Sequence, residues 1–235
     1  MKLHMKGLNT PDFIAGVPLF KGLPQKQVVE LSRIAVKHIF NKGQMIFSEG
    51  DDAHGFYIVQ TGRIKIFKLS SEGKEQILHI IEAGEPFGEV AVFTGKTFPA
   101  HAEALDVSQI IFFPRTAFVG LIKKYPSLSM NMLAVLSLRL KYFTRLVEDL
   151  SLKEVPHRLA VYLLYLSDSK GRTENLELDI SKGQLASLLG TIPETLSRIL
   201  NKMTNQGFIK VEGRKIRLID RNALKNLASG EKFLL

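Results

Sequence analysis

The chain has 235 residues, 45% of them hydrophobic, which is enough for two modest domains with separate cores. Its 32 Lys and Arg against 23 Asp and Glu give a formal net charge of +9, which favours a polyanionic partner such as nucleic acid. The absence of cysteine excludes disulfides, thiolate catalysis and cysteine-held zinc or iron–sulfur clusters. No signal peptide or membrane span is expected, so we predict a cytoplasmic protein without a membrane partner.

Short runs of Ile, Val, Phe and Tyr between Gly43 and Phe113 are separated by regularly spaced glycines. This pattern predicts antiparallel strands joined by tight turns, and residues 63–68 (RIKIFK) alternate most clearly. We therefore predict a β-sandwich or jelly roll, with residues 25–38 forming a helix packed on it.

From residue 127 to 152 apolar residues recur at alternating spacings of three and four. The resulting stripe consists of Leu133, Leu136, Leu140, Phe143, Val147 and Leu150. Such a heptad pattern predicts a long helix that pairs with its copy in a homodimer. A second apolar face, comprising Met132, Val135, Tyr142 and Leu146, is predicted to pack on the roll. An ordinary buried helix is the alternative.

After Pro156 a further apolar helix begins at His157, followed by a polar loop over residues 167–175. Two helices are predicted at residues 182–189 and 193–205, separated by a turn that holds Gly190. In residues 208–218, apolar and charged residues alternate on both sides of a Glu-Gly-Arg turn, which predicts a β-hairpin. This order of elements is typical of a winged helix-turn-helix.

The helix at 193–205 is predicted to read bases, because one of its faces is polar and the other apolar. The polar face carries Glu194, Ser197, Arg198 and Asn201, whereas Leu196, Ile199, Leu200 and Met203 turn inward. Arginine matches guanine O6 and N7, and glutamate accepts from cytosine N4. The cations expected to contact phosphates are Lys202, Lys210, Arg214, Lys215 and Arg217. As an alternative, Thr191 and Glu194 form a capping box at the helix start.

Residues 180–220 resemble the DNA-binding signature of the CRP/FNR family of transcription regulators, and the resemblance extends from Leu19 to Leu227. Residues 194–198 (ETLSR) are similar to the E-x-x-S-R pattern of the FNR branch, which implies palindromic sites with TTGA-like half-sites and adds Thr191 and Thr195 to the DNA-contacting set. The stretches LSLKEVPHRLAVYLL and PETLSR most resemble the denitrification and hybrid-cluster-protein regulators. The resemblance also implies RNA polymerase as a partner.

The resemblance implies an α+β chain with three parts. These are a cyclic-nucleotide-binding-like β-roll at residues 1–126, a dimerisation helix and hinge at 127–154, and a winged helix-turn-helix at 155–235. An enzyme is not expected, because no nucleophile and base, Walker loop or carboxylate pair stands at a recognisable spacing. A cyclic-nucleotide module that regulates an enzyme or channel is the rival interpretation, but the C-terminal helix-turn-helix pattern speaks against it.

Residues 84–93 (GEPFGEVAVF) resemble the phosphate-binding cassette of cyclic-nucleotide domains. The resemblance implies that Gly88, Glu89, Val90 and Ala91 line an effector pocket, with Glu89 meeting a ribose hydroxyl. Where the cAMP-binding members have an Arg-Ser or Arg-Thr pair, this chain has Phe98 and Pro99. Phe143 and Thr144 stand at the positions of the polar pair that reads adenine. Since losing the cationic partner of a buried anion costs roughly 3–5 kcal/mol, cAMP is not the expected effector.

The FNR branch senses oxygen with a cysteine-held cluster, which this chain cannot build. The regulators that it most resembles are haem-dependent sensors of nitric oxide, and this implies haem in the roll. The candidate axial ligands are His79, His101, Met130 and Met132. For each of them a packed or solvated side chain is the alternative, and an unknown small organic effector is the alternative to haem.

Overall fold

The structure is a computed structural model that describes residues 10–169 and 171–230, apart from the side chains of Ala91 and Val92. The chain divides into two compact units within one long helix, between Leu140 and Lys141. This helix runs over Ser127–Leu152, as the heptad pattern predicts.

The first unit is a β-roll with helices on one side. Its strands are β1 Val36–Phe40, β2 Met45–Phe47, β3 Gly55–Thr61, β4 Ile64–Leu69, β5 Glu75–Ile81, β6 Pro86–Phe87, β7 His101–Ala104 and β8 Ser108–Pro114. Its helices are α1 Thr10–Gly16, α2 Gln25–Ile34, α3 Val90–Thr94, α4 Arg115–Lys124 and the first part of α5 Ser127–Leu152, with a 3-10 turn at Pro18–Phe20. The strands form two four-stranded antiparallel sheets in the orders β1-β8-β3-β6 and β2-β7-β4-β5. The predicted jelly roll is therefore confirmed.

The first unit has two apolar layers. Between the sheets, Val59 and Ile110 of one sheet pack against Ile64 and Ala102 of the other. In the second layer the helices cover the other face of β3 and β8. It includes Phe56, Ile58, Ile111, Phe113, Phe118, Leu128 and Met132, with Val135 packed against it. The predicted packing on the roll is confirmed for Met132 and Val135, whereas that of Tyr142 and Leu146, which belong to the second unit, stays a prediction.

The helix predicted over residues 25–38 is too long. Helix α2 ends at Ile34, and Val36–Phe40 forms strand β1 instead. The reason is tertiary pairing, because Val36 stands opposite Phe112 and Phe40 opposite Ser108 in the β1–β8 ladder. The β-branched residues of this segment favour that ladder over another helical turn.

The second unit contains the remainder of α5 and a three-stranded sheet with helices. Its helices are α6 Val155–Ser169, α7 Lys182–Leu188, α8 Pro193–Asn205 and α9 Arg221–Ser229. Its strands are β9 Asn175–Glu177, β10 Ile209–Glu212 and β11 Lys215–Leu218, in the order β10-β11-β9. Glu212 pairs with Lys215, which leaves Gly213 at φ 62° and Arg214 as a two-residue turn. The layout confirms a winged helix-turn-helix, to which β9 and α9 add elements that the sequence analysis did not predict.

The capping box predicted at Thr191 and Glu194 is wrong. Residue Ile192 is the N-cap of α8 and makes no side-chain cap, with Pro193 as the first helical residue. A capping box is instead present at α7, where the Ser181 hydroxyl accepts from the Gln184 N–H at 3.1 Å and the Gln184 side chain accepts from the Ser181 N–H at 2.9 Å. Because the N-cap is Ile192 and not Thr191, Glu194 is the second helical residue and does not occupy the third position that a capping box requires.

We predict that Ser181→Ala destabilises the protein by about 1 kcal/mol, because it removes the acceptor for the Gln184 N–H. The matched control is Thr191→Ala, which removes a hydroxyl from the residue that precedes the α8 N-cap and is expected to leave stability nearly unchanged. Urea unfolding of the two variants measures the difference. Equal losses would contradict the assignment of the cap.

Candidate nucleic-acid interface and effector site

Helix α8 has one buried and one exposed face, as predicted. Leu196, Ile199, Leu200 and Met203 are buried against the rest of the second unit. The opposite face is exposed and consists of Glu194, Ser197, Arg198 and Asn201. This face can therefore enter a groove of DNA without disturbing the core.

Two side chains on this face differ in how they are held. The Arg198 Nη2 atom donates to the Thr195 hydroxyl at 3.2 Å, so the guanidinium is positioned along the helix. Among the residues that the structure describes, none donates a hydrogen bond to the Glu194 carboxylate, which is exposed. Thr191 is half-buried in the preceding turn, where its N–H donates to the Ala186 carbonyl at 2.9 Å. The Arg198 guanidinium and the Glu194 carboxylate are both accessible to base edges.

The outward face of the three-stranded sheet is strongly charged. Its exposed residues are Asn175, Glu177, Lys210, Glu212, Lys215 and Arg217, and they line an open groove of about 410 Å³. Lys215 stands between Glu177 and Glu212 in the strand register, whereas Arg217 stands between Asn175 and Lys210. Lys210 Nζ lies 2.8 Å from Glu212 Oε1, and this hydrogen bond lowers the pKa of Glu212. The predicted phosphate cations Lys202 and Lys215 are both exposed, but carboxylates flank Lys215.

The cassette of the first unit has the predicted form of a tight turn followed by a short helix. Strand β6 ends at Phe87, Gly88 has φ 72°, and α3 begins at Val90. Glu89 is buried and forms an ion pair with Arg139 of α5. The Arg139 Nη2 atom also donates to the Pro86 carbonyl at 2.6 Å. Sequence reasoning missed Arg139, because nothing in the local pattern of α5 links it to residues 50 positions earlier.

Phe98 is part of the core between the sheets. It is 3% exposed, and its ring stacks on Phe47 with centroids 3.7 Å apart and planes 10° apart. A Cβ at Gly88 would lie 3.0 Å from the Phe98 ring, so the aromatic stack packs closely against the cassette turn. Pro99 is exposed, and its carbonyl accepts from Lys68 Nζ at 3.1 Å. A packed ring thus fills the position that the resemblance equates with the phosphate-binding arginine of cAMP-binding members.

The remaining residues predicted for the effector pocket fall in different places. Val90 is 36% exposed on α3, and the side chain of Ala91 lies outside the described part of the structure. Phe143 and Thr144 lie on α5 in the second unit. Phe143 is half-buried with its ring 5.5 Å from that of Tyr142, and Thr144 is exposed.

Two of the candidate haem ligands are histidines of the roll. Burial, together with the charge of Arg139, lowers the pKa of His79 to about 4, so this imidazole is neutral near pH 7. The His101 Nδ1 atom accepts from the Glu49 N–H at 3.2 Å, and its ring lies against Phe67. His79 and Ala102 both pair with Ile66 and share a face of the sheet, which places His101 on the opposite face. The two histidines therefore cannot face one site within the roll.

The two methionine candidates lie elsewhere. Met130 is 66% exposed on α5, whereas Met132 is 2% exposed in the helix-covered layer of the core. Within residues 10–169 and 171–230 no group of three His, Asp or Glu side chains is arranged to hold a metal ion. Of the four candidates, His79 alone combines partial burial with a neutral imidazole on the inner face of the roll.

The heptad stripe of α5 leaves large apolar side chains in water. The exposed fractions of Leu133, Leu140 and Val147 are 56%, 69% and 63%. The other members, Leu136, Phe143 and Leu150, are half-buried. No helix in the described ranges is both long and apolar enough to cross a bilayer.

Comparison with known proteins agrees with this geometry. Residues 37–125 match the model of the cyclic nucleotide-binding domain, and residues 157–227 match that of the Crp-like helix-turn-helix domain. The chain is 30% identical to the fumarate and nitrate reduction regulatory protein of Escherichia coli K12 over 196 residues, which cover 82% of this chain and 78% of that protein. It is 27% identical over 221 residues to the CRP-like cAMP-activated global transcriptional regulator of Mycobacterium tuberculosis H37Rv, with 92% and 99% of the two chains covered.

A similar solved structure is that of FixK2 from Bradyrhizobium japonicum. It superposes with a TM-score of 0.71 at 26% identity and covers 83% of this chain and 97% of its own. The fold and the exposed face of α8 define a DNA-binding transcription regulator with a cyclic-nucleotide-binding-like domain. The chain belongs to the CRP/FNR family.

Proposed function

We propose that the chain is a homodimeric transcription regulator that reads palindromic DNA through α8 and responds to an effector other than cAMP. The observation that carries the proposal is the exposed face of Glu194, Ser197, Arg198 and Asn201 over a buried apolar face. Arginine and glutamate at this spacing match guanine and cytosine edges in the major groove. The E-x-x-S-R order supports TTGA-like half-sites, as in the FNR branch. RNA polymerase is the partner proposed for the DNA-bound state.

The proposed dimer forms through α5. Leu133, Leu140 and Val147 are more than half exposed in the single chain, and the hydrophobic effect favours covering such a stripe. A second copy of the same helix fits, because the stripe repeats with heptad spacing. Two recognition helices related by a twofold axis then match the two halves of a palindrome.

The proposed effector differs from that of the cAMP-activated relative. In the cassette, Phe98 occupies the position of the phosphate-binding arginine and is stacked on Phe47. Glu89 is already paired with Arg139, so its carboxylate is not free for a ribose hydroxyl unless this ion pair opens. A bound cyclic nucleotide would therefore place its phosphate against aromatic carbon with no cation in contact.

We further propose haem as the effector group, with the chain acting in the nitric oxide response of the denitrification and hybrid-cluster-protein regulators. His79 is the axial ligand that the structure supports best, because its imidazole is neutral and half-buried on the inner face of β5. Arg139 lies close enough to His79 for its charge to lower the pKa of this imidazole further. Haem bound there would supply an iron centre for nitric oxide.

We expect Arg198→Ala to weaken binding to the operator by about 1–3 kcal/mol and to relax the base preference at one symmetric position, because it removes a bidentate base contact. Lys215→Ala is the matched control, since it removes a cation on the sheet face that is expected to contact phosphate. Titration of each variant against the operator and random DNA separates the two effects. Direct readout by Arg198 is refuted if its loss weakens both DNAs equally.

We expect Leu140→Glu to produce monomers that lose palindrome binding, because it places a carboxylate in the centre of the proposed apolar seam. Leu138→Glu is the control, since Leu138 is equally exposed but lies outside the stripe. Analytical ultracentrifugation at micromolar concentration gives the oligomeric state. Dimers that survive Leu140→Glu place the interface elsewhere.

We expect haem to bind the purified protein with a shifted Soret band that changes when His79 is replaced by Ala. His101→Ala is the control, since His101 lies on the opposite face of the same sheet. Operator affinity with and without nitric oxide then tests the response of the haem-loaded protein. A wild-type protein that gives no Soret shift, or one whose operator affinity ignores nitric oxide, rules out haem sensing but leaves the DNA-binding proposal standing.

A further inference from the structure

The joint between the dimer helix and the DNA-binding domain is very short. Helix α5 ends at Leu152 and α6 begins at Val155, so only Lys153 and Glu154 connect them. The last carbonyls of a helix have no following helical N–H groups that could donate to them. In α5 the Asp149 carbonyl accepts from the Lys153 N–H at 3.1 Å. Other donors are needed at this helix end.

Arg158 of α6 supplies them. Its Nη1 atom lies 2.7 Å from the Lys153 carbonyl oxygen, 3.3 Å from that of Leu150 and 3.5 Å from that of Asp149. One guanidinium nitrogen thus contacts both the last turn of α5 and the joint itself. A positive charge at this point is also favourable, because the carbonyl end of a helix is partly negative.

The surroundings hold the Arg158 side chain in place. It is half-buried, and burial lowers its pKa, although the nearby Asp149 carboxylate acts in the opposite direction. Its Nε atom is buried, and no acceptor for it is present among the described residues. The guanidinium is therefore not a solvated surface group that meets the helix end by chance. The Nε atom is removed from water without gaining a hydrogen bond, while Nη1 contacts the carbonyl oxygens.

The helix that carries Arg158 is firmly joined to the remainder of its domain. Leu159, Ala160 and Leu163 of α6 are fully buried. On the far end of α6, Arg221 of α9 donates to the Ser167 hydroxyl at 2.7 Å and to Asp168 at 2.6 Å. The angle between α5 and α6 therefore determines the orientation of the helix-turn-helix domain, including α8, relative to the end of α5.

We propose that Arg158 is a positioning residue that fixes the angle between α5 and α6 and thereby the separation of the two recognition helices in the dimer. This inference rests on the proposed binding of palindromes by a homodimer. Since half-site spacing mirrors the separation of the recognition helices, Arg158 selects the operator spacing without touching DNA.

The test measures the affinity of wild type, Arg158→Ala and Arg158→Lys for palindromes whose central spacer is shortened or lengthened by one and two base pairs. We expect wild type to prefer one spacing sharply. Arg158→Ala should flatten this preference several-fold while affinity for an isolated half-site is retained. Arg158→Lys, which keeps the charge and one donor group, should restore part of the preference.

The matched control is Lys153→Ala, which removes the ion pair between Lys153 Nζ and Asp149 Oδ1 at the same helix end but leaves the contacts of Arg158 intact. It should keep the wild-type spacing profile. An unchanged spacing profile in Arg158→Ala would overturn the inference. A loss of half-site binding together with the spacing preference would overturn it as well, because Arg158 would then be needed for the stability of the domain. Failure of wild type to bind any palindrome would instead refute the proposed function.

Discussion

The face that α5 turns towards the β-roll is the constraint on which the arrangement of the sensor domain depends. Leu128, Met132 and Val135 lie on one face of this helix and pack in the helix-covered core of the roll. Arg139 continues the same face one turn further on, and there the chemistry changes from apolar packing to an ion pair with the buried Glu89. The apolar contacts therefore aim the arginine at the cassette. They also leave the neighbouring stripe of Leu133 and Leu140 turned to water.

The same constraint bears on the proposal that the effector is not a cyclic nucleotide. A buried carboxylate needs a partner, and breaking a buried pair typically costs about 3–5 kcal/mol. Arg139 meets that need from α5 and bonds the Pro86 carbonyl as well. At the end of the cassette where the resemblance implies a phosphate, Phe98 and Phe47 stack in parallel. A ligand of the proposed effector site would have to accommodate the paired Glu89 carboxylate and the packed Phe98 ring, and this supports the proposal of an effector other than cAMP.

Sequence patterns predicted those features that repeat within a few residues. The polar and apolar faces of α8 follow the helical period, and all four inward residues, Leu196 among them, are buried. Apart from the capping box at the start of α8, the errors occurred where pairing between distant segments decided the outcome. Residues 36–38 continue the helical pattern of α2, but in the fold they pair with β8, and the polar strand β9 pairs with β11. The Arg139–Glu89 pair spans 50 residues, and no local period reveals it.

The proposed coupling between effector and DNA requires one element that responds to both, and α5 contacts the relevant groups at two places. Arg139 near its middle binds the cassette through Glu89, and the carbonyls of its last turn are held by Arg158 of α6. An effector that binds the cassette more tightly when the Arg139–Glu89 pair is open favours a different seating of α5 on the roll. Because α5 also carries the proposed dimer seam, a change in seating alters how the two copies of the helix pair. Under the proposed function, the contacts of Arg158 would carry that alteration to α6, and the free-energy difference gained at the cassette would be expressed as a difference in operator affinity.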